Sequence, residues 1–193
     1  MKNKNNTNFE KIFLNRGYLV EKVEDSKSLN YINNVIQKKI QKLLKTKKTI
    51  NLNHLHKIIN EKNLNKMRLS LINHINSDKN FKDNYFNIAK KMLEEIVGNE
   101  LAIQNNINLS IQLPNDESSL LPLHSDTWSG DSPFESVLWI PLVNCYNTKS
   151  MFILNSKKLK NFNKNFNSKK IKSVSDLYNK YKKDLKFIKI DHG

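Results

Sequence analysis

His124 and Asp126, separated by Ser125, are the residues whose types and spacing best suit metal chemistry in this chain. Residues i and i+2 of an extended backbone face the same side, so the imidazole and the carboxylate would be presented together. Iron(II) in a two-histidine, one-carboxylate site needs such a pair plus a distant second histidine. A surface hydrogen bond is the alternative for a histidine near an acidic loop residue. We predict that His124 and Asp126 are metal ligands and, if the protein is an enzyme, its catalytic centre.

The charge pattern around this pair favours a bound cation. The chain has 33 basic and 18 acidic residues and a net charge of +15, yet residues 92–148 contain no lysine or arginine. Eight acidic residues lie in that same stretch. A local excess of negative charge attracts a metal ion and repels phosphate backbones. This segment therefore suits a metal site better than a nucleic-acid interface.

The basic character of the whole chain is weak support for nucleic-acid binding. Only Arg16 and Arg68 are arginines, which leaves 33 − 2 = 31 lysines, and bidentate phosphate or guanine recognition depends on arginine geometry. A lysine-rich run at 157–172 carries Phe162 and Phe166, a pattern that suits single-stranded nucleic acid or anionic lipid as well as a solvated loop. We favour the loop and expect no nucleic-acid partner.

Other reactive residues have less support. Cys145 is the single cysteine, so no intrachain disulfide can form, and no adjacent histidine marks it as a nucleophile. The serines near Asp126 lack a Gly-x-Ser-x-Gly motif, which argues against a serine hydrolase. His54 and His56 are two positions apart and do not share a helix face, so joint metal ligation by them on a helix is not expected.

Hydrophobic spacing divides the chain into a helical first half and a strand-rich second half. Helices are predicted over residues 26–45, 52–75, 81–97 and 173–183, with a short helical turn before Gly17 and an extended piece over 17–23. Strands are predicted over 101–113, 137–143, 150–154 and 185–191. The pattern predicts an α+β fold with helices packed against an antiparallel sheet.

No targeting or membrane-spanning segment is evident. The first residues are polar and lack the apolar core of a signal peptide, and the longest uncharged apolar run, 137–143, is far too short to cross a bilayer. We expect a cytoplasmic protein without a membrane span.

The segment HSDTWSGDSPFESVLWIPLVNCYNTKSMFILNSKKLK, residues 124–160, resembles the central part of the 2-oxoglutarate- and iron(II)-dependent oxygenases. It is most similar to the phytanoyl-CoA-hydroxylase-like branch and to relatives in surface-carbohydrate biosynthesis. The shared parts are His124 and Asp126, a strand carrying Trp139, a polar turn at 144–150, and a strand running into residues 155–157. The match is convincing over about 35 residues, and it extends loosely over 101–193.

The resemblance implies a partial double-stranded β-helix, or jelly roll, in which a mainly helical region, 1–100, packs on an incomplete β-helix core formed by 101–193 in one structural unit. It implies that His124 and Asp126 bind iron(II), that 2-oxoglutarate chelates the iron, and that Trp139 lines the co-substrate pocket. The implied reaction is hydroxylation of a small or carbohydrate-linked substrate. Oligomeric state is left open.

The chain departs from the family pattern after Asp126. The family needs a second histidine followed by a cation for the far carboxylate of 2-oxoglutarate, but the only later histidine is His192 and no arginine follows Arg68. We expect a sequence that stops before the distal histidine, with His192 as second ligand the competing hypothesis. Without that ligand the chain could be inactive. A non-catalytic ligand-binding module on the same fold and a basic nucleic-acid-associated protein are the alternative functions.

Overall fold

A computed structural model describes residues 8–116, 123–154, 158, 162 and 173–192. Helices come first and a small antiparallel sheet comes last, so the predicted α+β class is confirmed at this coarse level. The described elements are α1 (Phe9–Arg16), α2 (Ser26–Leu43), α3 (Glu61–Ser77), α4 (Phe81–Asn87), α5 (Lys90–Val97), β1 (Phe152–Leu154), α6 (Val174–Tyr181) and β2 (Leu185–Phe187).

Helices α2, α3 and α4 enclose the main hydrophobic core. The Asp25 side chain accepts a hydrogen bond from Lys27 N and caps α2, as its position before the apolar repeat predicts. The inward residues recur every three or four positions, the spacing of one helix face. On α2 and α3 the buried apolar residues are Leu29, Ile32, Ile36, Ile40, Leu64, Met67, Leu71 and Ile75. Leu71 is fully buried, at 0% exposure.

Two predicted helices are shorter or divided. Residues Leu52–Lys57 form a 3-10 turn, and α3 begins only at Glu61, where the Asn60 side chain accepts from Asn63 N. The predicted helix 81–97 breaks between α4 and α5. The reason is Glu24: its carboxylate accepts from Lys91 N and Met92 N, both at 3.0 Å, and so caps a new helix start at α5.

The predicted strands 101–113 and 137–143 are wrong as strands, because neither segment has regular secondary structure. Their alternating apolar residues do pack on the helical core, as strand-like spacing predicts; they are Ile107, Leu109, Ile111, Leu113, Leu138, Ile140 and Leu142. Side chains on the helices make the backbone hydrogen bonds that a neighbouring strand would otherwise make. The Asn76 amide accepts from Ile107 N at 2.7 Å and donates to Ile107 O at 3.0 Å, and Tyr85 Oη donates to Leu138 O at 2.6 Å.

The sheet in the described residues is a two-stranded antiparallel ladder. Phe152 pairs with Phe187 and Leu154 with Leu185, which shortens the predicted strands 150–154 and 185–191. Beyond the strand ends, Cys145 and Ile190 exchange both backbone hydrogen bonds, at 2.8 and 3.0 Å. The predicted helix 173–183 is confirmed as α6, capped by Ser173.

A second apolar cluster lies beside this sheet. Phe162, Leu177 and Tyr181 are buried together, and Leu123 and Leu154 pack against them. The cluster therefore joins α6 and β1 to the chain just before His124.

Two predictions fall outside the described residues: the family-like turn at 155–157, and most of the lysine-rich run 157–172, of which only Lys158 and Phe162 are described. Within the described ranges, none of the helices is both long and apolar enough to cross a bilayer.

Candidate metal centre

His124 and Asp126 lie together, as their spacing predicts. Ser125 between them has φ −131° and ψ 136°, an extended backbone that turns its two neighbours to one side. His124 Nε2 is 3.6 Å from Asp126 Oδ1, with 51% and 50% of the two side chains exposed. At that exposure the contact adds little to stability by itself. Its chemical interest is that two potential metal-donor atoms lie close together on half-exposed side chains.

The loop that carries the pair is held by its own turn. Asp126–Ser129 is a single 3-10 turn that ends at Gly130, whose φ of 98° is in the left-handed region that glycine adopts without strain. Trp128 N donates to Ser125 O at 2.9 Å, and the Ser125 and Thr127 hydroxyls are 2.8 Å apart. These bonds fix the backbone on both sides of the Asp126 side chain.

The second apolar cluster anchors this loop to the sheet. The Trp128 ring stacks on Phe162 with ring centroids 5.9 Å apart and planes 7° from parallel, and Leu123 packs on the same cluster. The positioning role of Trp128 is not predictable from the sequence, because nothing in the spacing links Trp128 to Phe162. The candidate ligands are therefore flanked by two residues, Leu123 and Trp128, that pack on the second cluster.

Tyr181 offers a test of that cluster. Its hydroxyl is buried and has no hydrogen-bond partner among the residues that the structure describes. Tyr181→Phe removes a polar atom that costs free energy to bury, so the free energy of unfolding should stay the same or rise by about 1 kcal/mol. Urea denaturation would measure this, with Tyr178→Phe on the exposed side of the same helix as control. A marked loss of stability in Tyr181→Phe alone would contradict the packing described.

The geometry of the pair fits two ligands of one metal ion. Two donors at about 2.1 Å from a metal stand about 3.0 to 3.4 Å apart at octahedral or tetrahedral angles, so a shift of a few tenths of an ångström suffices. No group of three or more histidine, cysteine, aspartate or glutamate residues that could hold a metal occurs in the described ranges. A third protein ligand is thus not assigned there.

His192 does not complete this site. Its ring Nε2 is 3.2 Å from Asn33 Nδ2 on α2, and its backbone N–H donates to Asn144 Oδ1 at 2.9 Å. Because no described group brings a third ligand to His124 and Asp126, the hypothesis that His192 is the second histidine ligand is wrong for this structure.

Trp139 lies on the outer side of its segment. It is 39% exposed, whereas its neighbours Leu138 and Ile140 pack against the helical core. The hydrogen bond from Tyr85 Oη to Leu138 O joins the segment 137–143 to α4. Burial raises the pKa of Tyr85 to about 12, so its phenol stays protonated as the donor in that bond. The predicted role of Trp139 in a co-substrate pocket stays a prediction.

Cys145 is a core residue. The side chain is buried, and burial raises the pKa of the thiol, with an opposing effect from Lys149. A protonated buried thiol is a poor nucleophile. Cys145 is therefore not a competing catalytic centre.

Comparison of this chain with protein-family models, with curated proteins and with solved structures found no match in any of the three.

Proposed function

We propose that the protein is a non-haem iron(II)- and 2-oxoglutarate-dependent oxygenase that hydroxylates a small or carbohydrate-linked substrate. The observation that carries the proposal is the convergence of His124 Nε2 and Asp126 Oδ1 to 3.6 Å on a loop held by a turn and a ring stack. The sequence resemblance over 124–160 supplies the class of reaction. A jelly-roll core belongs to the same proposal, since the described residues contain only a two-stranded sheet.

The local charge supports a cation at this loop. Asp126, Asp131 and Glu135 follow one another within ten residues, and no lysine or arginine occurs between positions 92 and 148. Half-exposed carboxylates keep their hydration, so this field attracts a divalent ion without the cost of burying unpaired charge. Asp131 N also donates to Asp126 O at 3.3 Å, which closes the turn behind the candidate ligand.

The two residues would each have a defined part. His124 would bind the metal through an imidazole nitrogen and Asp126 through a carboxylate oxygen. Both side chains are about half exposed, so a chelating keto acid would reach the metal from solvent. Iron(II) with bound 2-oxoglutarate and oxygen supplies an oxidant for a substrate C–H bond, with succinate and carbon dioxide as co-products. Trp128 and Trp139, both partly exposed, are the proposed apolar surfaces for co-substrate or substrate.

A non-catalytic metal- or ligand-binding module is the second candidate. It is favoured by the lack of a third protein ligand beside His124 and Asp126 in the described ranges. Two ligands can bind a metal weakly, but the iron oxygenase arrangement uses three.

Succinate formation tests the proposal. The purified protein is incubated with iron(II), ascorbate, oxygen and 2-oxoglutarate, and succinate is measured with and without chelator. The proposal predicts iron-dependent succinate that Asp126→Asn abolishes and Asp131→Asn, a matched change on the same loop, retains. Metal binding at the pair without succinate would support the binding module and overturn the oxygenase. If Asp126→Asn and Asp131→Asn form equal amounts of succinate, Asp126 is not part of the site.

A further inference from the structure

A polar cleft separate from the metal centre lies where the 3-10 turn Leu52–Lys57 meets the segment before β1. Its volume is about 480 Å³, within the range of small-molecule sites. We name it the asparagine cleft, after the amides that line it. Its lining residues are Asn51, Asn53, His54, His56, Lys57, Asn144, Tyr146 and Lys149.

The three asparagines share one hydrogen-bonding pattern. Asn51 Oδ1 accepts from Asn53 N at 3.0 Å, and Asn53 Oδ1 accepts from Asn144 N at 3.0 Å. Asn144 Oδ1 in turn accepts from His192 N at 2.9 Å. A backbone N–H can only donate, so each amide must use its oxygen in these bonds, which fixes its orientation. Within the described part of the chain the Nδ2 groups of these three residues make no hydrogen bond, so each can donate to a ligand.

The charged residues of the cleft are also donors. Lys57 and Lys149 are exposed, and neither is within 4.0 Å of a carboxylate in the described part of the chain. Lys149 Nζ instead lies 4.8 Å from the centre of the Tyr146 ring, which orients the ammonium without cancelling its charge. None of the eight described lining residues is acidic.

A wall of amide and ammonium donors without carboxylates is complementary to an anion that can accept several hydrogen bonds. We propose that the asparagine cleft binds the phosphate group of a small phosphorylated ligand. A phosphate dianion takes more donors than a carboxylate does and gains more from two ammonium groups. A volume of about 480 Å³ suits a small molecule, whereas a polynucleotide needs an extended basic groove with stacked aromatic rings. This site is independent of the proposed oxygenase function.

Asn53→Asp is the variant that tests phosphate binding in the asparagine cleft most directly. The aspartate retains an oxygen that can accept from Asn144 N, so the fold should be preserved, but it replaces the Nδ2 donor with negative charge. Inorganic phosphate is titrated into the full chain at constant ionic strength, with chloride as the balancing ion, and the amide resonances are followed by NMR. The proposal predicts saturable shifts centred on residues 51–57 and 144–149, and a loss of affinity of about tenfold or more in Asn53→Asp.

Asn8→Asp is the matched control. Asn8 Oδ1 caps α1 through Lys11 N at 2.7 Å, so this variant makes the same chemical change at another backbone-capping asparagine. It should leave phosphate affinity within about twofold. Equal losses in the two variants would show a general charge effect and overturn the proposal, as would unsaturable shifts. Binding of a single-stranded oligonucleotide at these residues without binding of phosphate would also overturn it, in favour of a polynucleotide site.

Discussion

His124→Ala is expected to weaken divalent-metal binding by about 100-fold, because it removes one of two donors that converge at 3.6 Å. Asp126→Ala should have an effect of similar size, since it removes the charged partner. Cobalt(II), which tolerates oxygen and occupies similar ligand sets, serves as the probe in competition with a fluorescent chelator. Both side chains are about half exposed, so neither variant should unfold the protein.

Asp131→Ala is the control for this measurement. It removes the same charge from the same acidic loop but leaves both candidate donors in place. Its metal affinity should remain within a few-fold of the parent protein. An equal loss of metal affinity in Asp131→Ala and Asp126→Ala would mean that the loop attracts cations only through its net charge. If His124→Ala bound metal with wild-type affinity, the imidazole would not be a ligand.

Leu71→Ala should cost about 2 to 5 kcal/mol of the free energy of unfolding. Leu71 lies on α3 at 0% exposure in the core formed with α2 and α4, so the shortened side chain leaves a cavity that rigid helices cannot fill. Urea denaturation followed by circular dichroism would measure the change.

Leu69→Ala on the same helix separates packing from helix propensity. Leu69 is 51% exposed, so the same substitution there should change stability by less than about 1 kcal/mol. Comparable losses at the two positions would contradict the orientation of α3.

The helices of this chain were largely predictable, because the residues that determine a helix lie within its own sequence. Helix α2 begins at the predicted Ser26 and ends two residues before the predicted end, since a capping aspartate and an unbroken apolar face both lie within its own sequence. The break between α4 and α5 was not predictable. It depends on the Glu24 carboxylate, which is remote in sequence from the Lys91 and Met92 amides that it caps.

The failed strand predictions have the same kind of cause. Residues 107–113 show the expected inward apolar alternation, whereas Ile103 is 49% exposed. Alternation records which side faces a core and not which group accepts the backbone hydrogen bonds. Here Asn76 pairs with both backbone groups of Ile107, and Tyr85 donates to Leu138 O. Those side-chain partners lie on helices, and no pattern within the extended segments indicates them.

The candidate metal pair was predictable from spacing alone, because an extended Ser125 is enough to bring His124 and Asp126 to one side. The stack of Trp128 on Phe162, which holds the loop, was not predictable, because the two residues have no periodic relation in the sequence. The asparagine cleft was missed for a related reason. Asn144 meets Asn53 through a tertiary hydrogen bond, and isolated asparagines in a chain rich in that residue carry no signal.

Manganese(II) broadening of amide resonances tests the central claim most directly, because it locates the bound ion without requiring turnover. At substoichiometric manganese, we expect the amides of residues 124–131 to broaden first, and we expect this selectivity to disappear in Asp126→Asn. Broadening centred instead on His54 and His56, or spread evenly over the acidic surface, would contradict a metal centre at His124 and Asp126.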